Sequence, residues 1–123
     1  MHILIVDDDD DIREVLAIVL RSEGHEVEEA VDGLDALLRL QRGSSPSLIL
    51  LDLMMPRLDG EGLTREVRSD PRIAHVPVCV ISGHPAAREK ASQLGAVGYL
   101  IKPIELGQLS ALIHSVAGTE TRT

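Results

Sequence analysis

Residues 47–60 read Ser-Leu-Ile-Leu-Leu-Asp-Leu-Met-Met-Pro-Arg-Leu-Asp-Gly. Four apolar residues, Leu48 to Leu51, run directly into Asp52. A short apolar run without alternation, bounded by turn formers, reads as a strand buried on both faces. Such a strand lies inside a parallel sheet, and open α/β sheets place their chemistry in the loops beyond the carboxyl ends of their strands. Asp52 stands at that end. Carboxylates are rarely buried without a partner, so the rest of the chain must supply one.

Working outward, His2 to Val6 is a second apolar run, and it ends in five consecutive acids, Asp7 to Asp11. Ile12, Val15, Leu16, Val19 and Leu20 then repeat at helical spacing, and Gly24 supplies the stop. Asp9, Asp10 and Asp11 suit the start of that helix, Asp10 and Asp11 best, where the helix dipole favours negative charge. Asp7 and Asp8 come too early to cap it. His25 to Ala30 alternates and is more polar, as an edge strand would be. Gly33 to Arg42 predicts a second helix with Leu34, Leu37, Leu38 and Leu40 inward.

Beyond the central strand, Asp59-Gly60 opens a third helix and Asp70-Pro71 closes it. Val76 to Ile81 is a fourth strand, stopped by Ser82-Gly83. Pro85 to Leu94 predicts a fourth helix with a thin apolar face, expected to be the least firmly packed. Val97 to Ile101 is a fifth strand, followed by Lys102-Pro103 and a last helix from about Glu105 to Val116. Strand and helix alternate five times over short connections. The pattern predicts an α/β domain, a parallel sheet with helices on both faces and right-handed crossovers. The expected division is one domain over 1–118 and a polar tail over 119–123.

Composition narrows the function. The 123 residues include no Phe or Trp and one Tyr, and the formal charge is −8. An aliphatic, acidic chain is unsuited to stacking on bases or binding a phosphate backbone, so no nucleic-acid contact is expected. No apolar run is long enough to span a bilayer and no basic leader precedes one. A cytoplasmic setting without membrane contact is the expectation. The single cysteine, Cys79, lies in an apolar strand and reads as a small core residue.

In a parallel sheet every strand's carboxyl end reaches the same edge. Asp7 and Asp8, Asp52, Ser82 and Lys102 therefore gather there, from four of the five strands. Three carboxylates and one ammonium do not balance, and like charges a few ångströms apart repel by roughly several kcal/mol at intermediate dielectric. Either a carboxylate takes up a proton or a divalent cation binds. Few ligands, all oxygen, with no clustered His or Cys, point to Mg²⁺ that keeps several waters.

Four motifs resemble one family, the receiver domains of two-component response regulators. They are Ile-Leu-Ile-Val-Asp-Asp at 3–8, Leu-Leu-Asp-Leu-Met-Met-Pro-Arg-Leu-Asp-Gly at 50–60, Val-Ile-Ser-Gly at 80–83 and Tyr-Leu-Ile-Lys-Pro at 99–103. The resemblance covers residues 2 to about 117. It implies a flavodoxin-like, doubly wound five-stranded sheet of order 2-1-3-4-5 with five helices. It also implies roles. Asp52 is the phosphoacceptor. Asp7, Asp8, Asp52 and the backbone carbonyl of Met54 hold Mg²⁺. Lys102 and Ser82 stabilise the phosphoryl group. Ser82 and Tyr99 form the switch, and Gly83 and Pro103 shape the site. The implied donor is a sensor histidine kinase or phosphotransfer protein. The implied receiver of the signal is an effector domain or output protein meeting the face of the fourth helix, fifth strand and fifth helix. Glu89, Lys90, Gln93, Tyr99, Glu105 and Gln108 fall on that face, through which two copies could also pair.

Such a protein is no enzyme beyond promoting its own phosphorylation and dephosphorylation. One rival function is a binding module on the same fold that is never phosphorylated, and the intact acidic pair, Asp52 and Lys102 weigh against it. A hydrolase with an aspartyl-phosphate intermediate would need a substrate cap, and no segment is spare to form one. The five histidines lack metal-ligand spacing, though His84 follows the Ser82-Gly83 turn and could line the pocket mouth. Met54 cannot orient a water as an amide or carboxylate would, which predicts slow self-catalysed dephosphorylation.

Overall fold

A computed structural model describes residues 1–55 and 57–120. The chain order is β1 (His2–Val6), α1 (Asp10–Ser22), β2 (Glu26–Ala30), α2 (Gly33–Gln41), β3 (Leu48–Asp52), α3 (Gly60–Ser69), β4 (Val78–Ser82), α4 (Ala87–Gln93), β5 (Gly98–Ile101) and α5 (Leu106–Glu120). All strand pairs are parallel and the sheet order is β2-β1-β3-β4-β5. Strands β1, β3 and β4 are buried almost throughout, as unalternating apolar runs require. Their side chains alternate between two cores. Ile3, Ile5, Leu48 and Leu50 pack with Leu16 and Leu20 of α1 and Leu109 and Ile113 of α5. Leu4, Val6, Ile49 and Leu51 pack with Leu40 of α2 and Leu63 and Val67 of α3.

Register is what assembles the sheet edge. Val6 pairs with Leu51, so Asp7 and Asp52 leave neighbouring strands side by side. Asp52 pairs with Ile81 and Ser82 with Ile101, which brings Lys102 off the same edge. A slip of one residue in β1 or β3 would turn its chain of leucines, isoleucines and valines onto the wrong core, so the hydrophobic pattern locks the register.

Several elements differ from the sequence reading. Asp9, rather than Asp10 or Asp11, caps α1. Its carboxylate accepts from the amides of Asp11 at 3.0 Å and Ile12 at 3.2 Å, with Asp10 and Asp11 in the first turn. In α2 the buried positions are Gly33, Ala36 and Leu40, while Leu34 and Leu38 face solvent. A nine-residue helix presents one stripe to the core, and close packing of its glycine start on the Leu58 backbone chooses that stripe. Val15 of α1 is likewise exposed. Helix α5 continues past Val116 to Glu120, because extending an existing helix adds a hydrogen bond for each residue fixed. It takes in the first two residues assigned to the tail, and 121–123 lie outside the described residues. Among the described residues no helix is long and apolar enough to cross a membrane.

Leu50 and Leu38 discriminate these assignments. Leu50→Ala should lower unfolding free energy by about 2–5 kcal/mol, whereas Leu38→Ala, at a 40% exposed position, should change it by less than about 0.5 kcal/mol. Urea denaturation of the two variants reads both values.

Candidate functional site

Each site residue is delivered by a strand end. Asp7 follows β1 and is fully buried, Asp8 beside it is exposed, and Asp52 closes β3 at 4% exposure. Ligand oxygens of Asp7, Asp8 and Asp52 lie within 4.8 Å of one another. Lys102, half-buried after β5, places Nζ 3.0 Å from Asp7 Oδ2 and 3.2 Å from Asp52 Oδ2. Asp52, Met54, Lys102, Asp8 and Asp9 line one open cleft with Gly83, His84 and Pro85.

The remaining oxygens are partly satisfied by backbone. Asp7 Oδ1 accepts from the Asp9 amide at 2.9 Å and Asp52 Oδ1 from the Met54 amide at 3.1 Å. Asp7 Oδ2 is buried and, although it faces Lys102, accepts no well-directed hydrogen bond among the described residues. A buried carboxylate oxygen left so calls for a cationic partner. Burial, together with the charge of Asp7, pushes the Asp52 carboxyl above its ordinary range despite the opposing Met54 amide and Lys102. Burial also works against the Lys102 ammonium, but the two carboxylates outweigh it and hold its pKa above the lysine value. One ammonium thus cannot neutralise three carboxylates. The donor set is oxygen throughout, with one carboxylate exposed to a solvent cleft, and it fits a hard divalent cation that retains water.

The loop after β3 is shaped around Asp52. A Cβ at Gly60 would fall 2.8 Å from both the Asp52 carbonyl oxygen and Leu53 Cα, so only glycine lets α3 start this close. Asp59 caps α3 by accepting from the Gly62 amide at 2.8 Å.

Ser82 is fully buried, and its Oγ accepts from the His84 amide at 3.0 Å. The hydroxyl hydrogen remains available to donate. A Cβ at Gly83 would lie 3.9 Å from Lys102 Cβ, an ordinary contact, so sterics do not demand glycine there. The Lys102–Pro103 peptide is cis. Tyr99 lies further from the cluster, on β5 opposite Val80 and 38% exposed. Glu89, Gln93, Glu105 and Gln108 are exposed around it, while Lys90 is half-buried and pairs with Glu61 of α3 at 2.8 Å. Helix α4 has no side-chain cap, and its Ala91 joins a small core with Leu53 and Val80.

Three contributors were not legible beforehand. Arg13 Nη1 donates to the Asp7 carbonyl at 2.8 Å, and Arg57 pairs with Asp32 across 25 positions of sequence. The ring of His84, flagged only as a cleft residue, accepts from the Ala86 amide at 3.0 Å through Nδ1. For Arg57 the available signal was a cation inside the tight turn between Asp52 and Asp59-Gly60.

Comparison with known proteins matches residues 3–114 to the model of the response regulator receiver domain. A probable transcriptional regulator, ycf27, of Pyropia yezoensis is 40% identical over 116 residues, which are 93% of this chain and 46% of that protein. The DNA-binding dual master transcriptional regulator RpaA of Synechocystis is 34% identical over 94% of this chain and 48% of its own length. The chain therefore spans about half the length of these relatives. Among solved structures, a response regulator receiver protein from Pseudomonas putida superposes with TM-score 0.84 at 33% identity, covering 93% of this chain and 95% of that one. The receiver domain of a sensor histidine kinase from Pseudomonas aeruginosa PAO1, solved with a magnesium ion coordinated in its active-site cleft, gives TM-score 0.85 at 31% identity, with 95% and 97% covered.

The charge imbalance has a measurable sign. A carboxyl whose folded pKa is raised holds its proton more tightly in the native state, so stability falls as pH rises from the ordinary carboxylate range to the raised value. Asp52→Asn should accordingly raise the melting temperature of the metal-free protein at pH 7. The gain should vanish below the ordinary carboxylate pKa. Thermal melts of both proteins in chelator across that pH range test it.

Proposed function

Since the chain belongs to the response regulator receiver family, the phosphoacceptors of two-component signalling, we propose that Asp52 takes the phosphoryl group. The observation that carries this reading is the position of Asp52: nearly buried, at a cleft, 3.2 Å from Lys102 Nζ and clustered with Asp7 and Asp8. Asp7, Asp8, Asp52 and the Met54 carbonyl would hold Mg²⁺. Bound there, the cation would supply positive charge that screens the acids and the phosphoryl oxygens from one another. Asp52 Oδ attacks phosphorus, the bond from phosphorus to the donor nitrogen of a kinase phosphohistidine breaks, and that nitrogen keeps the electron pair. Lys102 meets the charge on the transferred group, so the contribution of the chain is positioning and electrostatics. The product is a covalent aspartyl phosphate.

The new dianion needs donors, and the buried hydroxyl of Ser82 can turn to give one. That movement withdraws the acceptor from the His84 amide and frees space beside β5, into which Tyr99 turns. The switch is a shift between two packings of α4, β5 and α5. This face would then meet an output domain, an output protein or a second copy. Residues 1–118 act as one receiver unit in this reading, in the cytoplasm, without enzymatic turnover of other substrates. Pro103 follows Lys102 and would shape its loop, and Gly83 lies beside Ser82 at the cleft.

Incubating the whole chain with acetyl phosphate and Mg²⁺, followed by intact-mass measurement, tests the assignment. A single lasting phosphoryl adduct is expected, absent in Asp52→Asn. No adduct on the wild-type chain would instead indicate a phosphorylation-independent binding module, and multiple turnover of a phosphate ester a hydrolase.

Met54 is 69% exposed at the cleft. Its thioether cannot align a water for attack on the acyl phosphate. Met54→Asn or Met54→Glu should shorten the half-life of the adduct several-fold, and Met54→Ala should leave it near the wild-type value. Decay of the isolated phosphoprotein in Mg²⁺ gives the comparison.

A further inference from the structure

Among the described residues Arg57 is the one non-glycine with positive φ, at 68°. Left-handed backbone is uncommon for a residue with a Cβ and persists where the surroundings impose it. At this position Arg57 makes an ion pair. Arg57 Nε lies 2.6 Å and Nη2 2.5 Å from Oδ2 of Asp32, which is 4% exposed. The other oxygen of Asp32 caps α2, accepting from the Asp35 amide at 2.8 Å. Burial pushes the Asp32 carboxyl up, yet the Asp35 amide and Arg57 together hold it below the ordinary range.

The contact fastens the loop that leaves Asp52. The ends of that loop are tied by backbone, Leu53 N–H to the Ile81 carbonyl at 3.3 Å and Gly60 N–H to the Leu53 carbonyl at 3.2 Å. Its outer turn rests on the start of α2: a Cβ at Gly33 would fall 1.9 Å from the Leu58 carbonyl oxygen. Among the described residues the Arg57–Asp32 contact is the one ion pair made from within residues 54–58. Met54, three positions before Arg57, donates its amide to Asp52 Oδ1 at 3.1 Å.

We propose that Arg57, clamped on Asp32, is a positioning residue for the acidic cleft, holding the loop so that the Met54 peptide is set against Asp52 before any ligand arrives. The inference rests on the reading that the Met54 carbonyl joins Asp7, Asp8 and Asp52 in holding Mg²⁺. Neither Arg57 nor Asp32 touches the reacting groups. Their action is through loop placement, the kind of outer contact whose loss weakens metal binding by roughly tenfold to a hundredfold.

The test uses the whole chain as wild type, Arg57→Gly, Arg57→Lys and Asp32→Asn. Glycine suits the left-handed backbone and removes only the ion pair, and asparagine keeps the cap of α2 while removing the charge. Three readouts are taken: the melting temperature, the Mg²⁺ dissociation constant by calorimetry, and amide hydrogen exchange at Met54 without metal. Arg57→Gly and Asp32→Asn should melt near the wild type, bind Mg²⁺ about tenfold more weakly and exchange the Met54 amide faster. Arg57→Lys should recover part of both losses. Equal Mg²⁺ affinity and equal Met54 exchange in wild type, Arg57→Gly and Asp32→Asn would overturn the role of Arg57 and leave the Asp52 reading standing. A wild-type chain with no Mg²⁺ affinity would overturn both.

Discussion

One ammonium faces two buried carboxylates at the edge of the sheet. Lys102 Nζ sits 3.0 Å from Asp7 and 3.2 Å from Asp52, and removing it would leave the buried Asp7 and the nearly buried Asp52 beside one another without a cation. A buried ion pair contributes little net stability compared with apolar packing, yet breaking one is costly. The arrangement therefore makes sense as stored charge imbalance rather than as structural reinforcement. The surrounding sheet can hold it because its three inner strands are packed on both faces with aliphatic side chains.

The scaffold places these groups by register and by close backbone approach. Strand pairing brings Asp7 beside Asp52, and the missing side chain at Gly60 lets α3 begin against the Asp52 carbonyl. These constraints come from the core, where a slip would turn each inner strand's side chains onto the wrong side of the sheet. The β3–α3 loop is different. Besides the packing of Met55 and Leu58 on the core, it is held by contacts of long sequence separation, Arg57 to Asp32 and the Leu53 N–H to the Ile81 carbonyl.

That difference also explains what could be read from the sequence. Asp52, Asp7, Ser82 and Lys102 were legible because each ends a hydrophobic run, and such runs in alternation with helices force strand ends onto one edge. The cap at Asp59 was legible because Asp-Gly before an apolar repeat is a local signal. The inward face of α2 was not, since four leucines in a short helix offer more than one stripe and only tertiary contact at Gly33 and Ala36 selects among them. The choice of Asp9 over its acidic neighbours was hidden for a similar reason: five adjacent aspartates are chemically equivalent until the strand end fixes where the chain turns. Arg57 and Asp32 lie 25 residues apart and meet only once the sheet order brings α2 to the β3 edge.

The thin apolar face of α4 follows from the same division of labour. Its buried residues are Ala87 and Ala91, of which Ala91 packs with Leu53 and Val80, it has no side-chain cap at its start, and the ring of His84 accepts the amide of Ala86 instead. The amide of His84 in turn is bound to Ser82 Oγ. A hydroxyl buried at the acidic site is thus two hydrogen bonds from Ala86, the residue that precedes α4. Elements of low local stability are the ones a modest free energy can move, and a ligand shifts an equilibrium only by its preference for one state over the other. In the proposed reading a dianion at Asp52 would prefer the state in which Ser82 donates to it, and that preference would compete with the Ser82–His84 contact before α4. Helix α3 differs here, since the Asp59 carboxylate caps it, whereas the entry to α4 depends on the ring of His84.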